Sequence, residues 1–336
     1  MKKWSVLWLS AILMTALLLS GCGAKSEKDV INDLNKRYEK INSYSTNAVM
    51  TFHNHGKAQA YQVNIMYKRP NLYRVSLSDA NKANKQMILK NKEGVYVLTP
   101  ELNKSYRFDS DWPNNRSQAY LYHSLAKDIL NDPNPSFTAK ENHYIFNTKT
   151  NYNTAQLANQ EISLKKDLTP ETVKIKDKDQ KVVVTVTFKN FKVNPSIPNK
   201  TFDVKQNMTA ANLSKTQSTS AENKSSLKLL YPTAVISGTK LETLNPASSK
   251  FGDRYVLKYA GKKPFTLIET KSQTAASSAA TLATGTPANL GFAVGSFGDH
   301  SLSWSSNGTD FYLASEKLTQ DEMITIAQSV NGTVTK

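Results

Sequence analysis

Cys22 is the one cysteine in this 336-residue chain, and it ends the run Leu17-Leu18-Leu19-Ser20-Gly21. A lone thiol makes no internal disulfide, and one soft ligand makes a poor metal site. What remains to it is the chemistry of a nucleophile. Other reactive side chains are sparse. His53-x-His55 sets two imidazoles on one strand face, but no carboxylate or thiol stands nearby at ligand spacing. Asp299-His300-Ser301 contains the residue types of a catalytic triad, yet neighbours on a strand point to opposite faces and a triad is a spatial arrangement. Ser163/Lys166 and Ser225/Lys228 match S-x-x-K without its partner motifs. Asp177-x-Asp179 lacks the glycine and distal glutamate of a calcium loop, and no phosphate-cradling glycine loop occurs. These patterns point away from an enzyme, with no metal site and no cofactor beyond whatever Cys22 carries.

The surroundings of Cys22 say what that is. Lys2 and Lys3 precede an apolar block, Val6 to Leu19, of about 14 residues, the plan of a secretion signal. That block is shorter than the roughly 20 residues a spanning helix needs. Leu19-Ser20-Gly21-Cys22 resembles the bacterial lipobox, which implies a diacylglycerol thioether on Cys22 and removal of residues 1–21. The thiolate supplies the nucleophile, and two acyl chains at about 0.8 kcal/mol per buried CH₂ hold where one is marginal. The expectation is a lipid-anchored protein on the outer face of the cell membrane.

Composition narrows the partners. The chain is 39% hydrophobic and 9% aromatic, enough to build cores, and its formal charge is +16. A basic surface suits an anionic leaflet or wall. The lysines are scattered rather than gathered into a stripe with interleaved aromatics, so nucleic acid is not an expected partner.

The elements that must position any site follow from period and capping. Ser26 and Asp29 form a capping box before a helix carrying Val30, Leu34, Tyr38 and Ile41. From Ser45 the period becomes two: Tyr61, Val63, Ile65 and Tyr67 alternate with polar residues, then Tyr73, Val75 and Leu77 after a turn at Arg69-Pro70-Asn71. Strands at Gln86–Leu89, Gly94–Leu98 and Ser105–Phe108 lead to an inserted helix with Leu121, Tyr122, Leu125 and Ile129 on one face. Further strands run at His143–Thr148, Gln160–Lys165 and Glu171–Lys176. In the strand after the Asp177–Gln180 turn, Val182, Val184, Val186 and Phe188 share a face, while Phe191 and Val193 fall out of phase. One extra residue near Lys189-Asn190, a β-bulge, repairs it. Residues 205–225 are polar and without period, and read as a linker. Strands follow it, then a helix boxed by Thr319 and Glu322 with Leu318 and Met323 as a hydrophobic staple.

The segments "LNKRYEKINSYSTNAVMTF", "YQVNIMYKRPNLYRVSL" and "NPSIPNKTFDV" resemble the LolA-like superfamily, and within it the YdcC-like, sporulation-associated lipoproteins of Gram-positive bacteria. The likeness covers roughly residues 26–204. It implies an α+β fold: a curved antiparallel β half-barrel covered by helices (22–204), then the linker (205–225) and a smaller α+β domain ending in a helix (226–336). In the carriers of that superfamily the concave face holds acyl chains. By that resemblance Tyr61, Val63, Ile65, Tyr67, Tyr73, Tyr96, Tyr106 and Phe108 are candidates to line a groove for a lipid or acyl chain. Such aromatics serve core packing equally well. The alternative is an interaction scaffold or regulator for an envelope or sporulation partner, in which Trp112 or the inserted helix plugs the groove.

Overall fold

The computed structural model describes residues 25–54, 57–79, 85–113, 118–152, 157, 159–209, 227–234, 236–249, 252–277 and 279–330. Cys22, His55, Ser225 and most of the expected linker lie outside the described residues.

Helix α1 (Glu27–Lys40) opens with the expected box: the Ser26 hydroxyl accepts from the Asp29 N–H and the Asp29 carboxylate accepts from the Ser26 N–H, each at 3.3 Å. Val30 and Leu34, four residues apart, share its buried stripe. Six strands then run as an antiparallel meander: β1 (Ser43–Asn54), β2 (Lys57–Lys68), β3 (Leu72–Asp79), β4 (Gln86–Asn91), β5 (Gly94–Thr99) and β6 (Lys104–Phe108). Helix α2 (Tyr122–Asn131) follows, with Tyr122, Leu125 and Ile129 buried along one face. A second meander comprises β7 (Ser136–Ala139), β8 (His143–Lys149), β9 (Asn159–Lys165), β10 (Pro170–Lys176) and β11 (Val182–Val193), and β11 returns to pair with β1. Strand β7 is an addition to the sequence reading, in which strands resume only at His143.

The result is an open, curved half-barrel with α1 and α2 on its concave side. Ser45 pairs with Lys192 but Asn47 with Lys189, so three steps on β11 answer two on β1. Asn190, at φ +54°, occupies that bulge. It is the extra residue that the apolar phase of Phe188 and Phe191 requires, and a bulge bends its strand.

Residues 204–209 are helical, so the expected linker 205–225 begins inside a helix. Met208 is the reason: it packs with Val204 against Met87, Leu89, Tyr96 and Leu98 on the convex side of the sheet. The Asn207 side-chain amide oxygen accepts from Arg74 Nε at 2.8 Å and fixes the helix to β3.

Strands β12 (Thr239–Ser249), β13 (Gly252–Gly261), β14 (Phe265–Lys271), β16 (Thr286–Asn289), β17 (Val294–Phe297), β18 (Ser301–Ser306) and β19 (Thr309–Ala314) form a second sheet, in the order β12-β13-β14-β19-β18-β17-β16. Helix α3 (Gln320–Ser329) begins with the Thr319–Glu322 box, and Leu318 and Met323 are both buried there. The two-residue β15 (Thr281–Leu282) leaves this unit to lie parallel to β6 at the edge of the half-barrel. Buried side chains of both units join one continuous core running from Val30 to Val330.

Candidate functional site

Alternation along β2 sends Tyr61, Val63, Ile65 and Tyr67 to the concave face. Pairing carries that face across the sheet. Ile65 lies opposite Val75, then Ile88, Val97 and Tyr106; Tyr67 lies opposite Tyr73, and that row ends at Val95 and Phe108. Seven of the eight candidate groove residues therefore share one surface. Tyr96 does not. It pairs with Leu89, which pairs with Arg74, on the convex side. Every residue from Val95 to Leu98 is buried because helix 204–209 covers the second face of β5, so its aromatic gives no sign of which way it points.

Along β2 the concave face is filled by the chain's own side chains. Helix α2 lays His123 on Tyr67 with ring centres 4.0 Å apart, and Trp112 meets Tyr73 edge-on at 5.8 Å. From the second unit, Phe292 stacks on Tyr61 at 6.2 Å. Val63 is 2% exposed and Ile65 not at all. Burial pushes the His123 imidazole down to about 4, with the Arg69 charge adding to it, so the ring is neutral at physiological pH. Between Met50, Phe52, Ile175 and Val184 on the sheet and Tyr120 and Ile324 above it, a cavity of about 60 Å³ is left. Pockets that hold drug-sized ligands span about 300–1,000 Å³.

More space lies at the seam between the units. A cavity of about 400 Å³ is lined by Tyr106 and Phe108 from β6, Val97, Trp304 and Phe311, with Leu282 of the β15 strap at its edge. Gln86 closes it by bonding both backbone groups of Val294, accepting from the N–H at 2.7 Å and donating to the carbonyl at 3.4 Å. Asp310 takes Lys104 Nζ at 2.7 Å and the Ser272 and Ser305 hydroxyls at 2.6 Å, so its charge is spent within the chain. Gly291 lets the seam close. Its φ is +82°, and a Cβ there would stand 2.2 Å from the Phe52 ring. Neither Gln86 nor Gly291 stood out in the sequence, because their partners lie in the other unit.

The remaining reactive residues stand apart. His53 Nε2 is 3.0 Å from the Thr185 hydroxyl. His300 is 62% exposed beside Glu316 at 3.4 Å. Ser163 donates to Glu171, while Lys166 sits 4.1 Å over the Tyr144 ring. Among the described residues no group of three or more His, Cys, Asp or Glu is placed to hold a metal, and no helix is long and apolar enough to cross a membrane.

Residues 1–202 match the family described as Sporulation protein YdcC-like. The protein called Sporulation protein YdcC from Bacillus subtilis (strain 168) is 42% identical over 337 residues, covering 100% of this chain and 99% of that one. The chain belongs to the YdcC-like family. Solved structures similar to this YdcC-like chain include the MucA/MucB complex of Pseudomonas aeruginosa, at 11% identity and TM-score 0.32, covering 90% of this chain and 98% of that chain. A LolA superfamily protein from Nitrosomonas europaea is similar at 11% identity and TM-score 0.30, covering 54% and 98%.

One ionisable group of this YdcC-like chain is set apart by its environment. Glu269, on β14 between Tyr255 and Phe311, has no solvent exposure. One carboxyl oxygen accepts the Leu230 N–H at 3.0 Å and the other has no hydrogen bond. Burial pushes its pKa up to about 7, which the Leu230 bond only partly opposes. Between the ordinary carboxylate range and 7 the folded state binds a proton that the unfolded state has released, so stability falls as pH rises through this window. The loss is on the order of 3 kcal/mol once complete. Glu269→Gln is expected to melt like the parent at pH 4 and several degrees higher at pH 8. Parallel thermal melts across pH check this, and equal melting temperatures at pH 8 would refute it.

Proposed function

We propose that this chain is a lipoprotein anchored through Cys22 to the outer face of the cell membrane, acting there as a non-enzymatic interaction scaffold for an envelope or sporulation partner. The filling of the concave face along β2 and β3 by His123, Trp112 and Phe292 carries this reading, because an acyl chain finds no room along strands already packed with the chain's own rings. The family description supports the sporulation setting. Helix α1 starts at Glu27, so the folded part would be held within a few extended residues of the bilayer, at about 3.3–3.6 Å each.

The seam cavity favours a second reading, in which a short apolar ligand lies against Tyr106 and Phe108. Native mass spectrometry of the mature lipoprotein separates the two. The scaffold predicts the polypeptide with its covalent lipid and nothing else, whereas a stoichiometric non-covalent lipid adduct would replace it with the ligand-binding reading.

A further inference from the structure

A second sizeable cavity, of about 380 Å³, lies among α1, α2 with the Asp132-Pro133 turn after it, and the end of β8, away from the residues of the seam. Its ring surfaces are Tyr38 of α1, Tyr73 of β3 and His123 of α2. Tyr38 and His123 meet edge to face with centres 5.2 Å apart, which exposes part of each ring's flank to the cavity.

Among the described residues the rest of the lining is polar and balanced in charge: Lys127 and Lys149 stand with Asp128 and Asp132. Both carboxylates are held in place: Asp128 accepts from the Gln160 amide at 2.8 Å, and Asp132 accepts from the Lys149 and Asn134 backbone N–H groups at 3.0 Å each. They are oriented acceptors. Lys127 and Asn131, both exposed, make no side-chain hydrogen bond or ion pair among the described residues.

That combination selects a ligand class. Among the described residues, two ammonium groups offset by two carboxylates give no surplus charge to attract an anion or a metal cation. A lipid tail would find its walls lined with charge. A neutral ring with apolar C–H faces and equatorial hydroxyls matches both parts, its faces on the aromatic flanks and its hydroxyls bridging fixed acceptors and free donors. The volume falls within the range of small-ligand pockets, about 300–1,000 Å³.

We propose that this cavity binds a pyranose unit of a neutral glycan. Tyr38, with the flank of His123 beside it, forms its stacking face above the buried Tyr73, Asp128 and Asp132 accept from its hydroxyls, and Lys127 and Asn131 donate to it. The proposal rests on the α1–α2 cavity alone and stands or falls separately from the scaffold reading.

The test titrates the mature lipoprotein in detergent with chitotetraose and with cellotetraose, followed by saturation-transfer NMR and calorimetry. Saturable binding of either sugar is expected. Lys127→Ala and Asn131→Ala are surface changes that should leave the melting temperature unchanged, and each is expected to weaken binding about tenfold, the loss of one charge-assisted or bridging hydrogen bond. Tyr38→Ala is expected to abolish it. The proposal is overturned if neither sugar binds, or if binding is indifferent to both surface variants. It is also overturned if inorganic phosphate competes and Lys127→Ala removes the phosphate instead, which would make the cavity an anion site.

Discussion

Val63→Glu is expected to unfold the half-barrel rather than to disable a groove in a folded one. Val63 sits between Ala48 and Leu77 on the ladder and is 2% exposed. A carboxylate there either stays charged without a partner or takes up a proton, and either course costs several kcal/mol. For a chain of this size such a loss lowers the melting temperature by about 10–20 °C. On an open groove the same side chain would reach solvent, and the variant would melt near the parent while losing uptake of a fluorescent fatty acid. The two outcomes are read from one sample by a thermal melt and a fatty-acid titration. Near-native melting with lost uptake would overturn the scaffold reading and restore the groove.

Cys22→Ser is expected to change location completely. Serine offers no thiolate to alkylate, so the variant should neither incorporate labelled fatty acid nor be cut before residue 22. Two buried acyl chains account for stable anchoring, and without them the protein should leave the membrane pellet. Fractionation with an antibody against the chain, alongside fatty-acid labelling, reads both effects. A variant that stays in the pellet and still takes up label would end the lipoprotein assignment. Glu269→Gln and Val63→Glu leave this result untouched, since both lie in the folded part.

Much of the fold was legible in the sequence wherever the determining signal is local. Both capping boxes are made by residues three apart, so Ser26–Asp29 and Thr319–Glu322 announced the starts of α1 and α3. The bulge at Asn190 was readable because apolar phase along one strand records which face is buried, and Phe188 and Phe191 break that phase. Cys22 stands out through its immediate neighbours alone. The resemblance of the first two hundred residues pointed to the half-barrel, and family membership agrees with it.

What covers each face was decided only in three dimensions. Period two says that Tyr61, Val63, Ile65 and Tyr67 share a side, but not that Phe292 and His123 occupy the space beyond them. Tyr96 was assigned to the concave face because nothing near it in sequence reports Met208, which buries the opposite face of β5. Glu269 looks like an ordinary charge on a half-exposed strand until Leu230, from the far side of the unit, is laid over it. Alternation and capping are properties of neighbours along the chain. Burial is a property of neighbours in space, and in a sheet of antiparallel meanders closed by a second unit those neighbours come from segments hundreds of residues apart, as Gln86 and Val294 do.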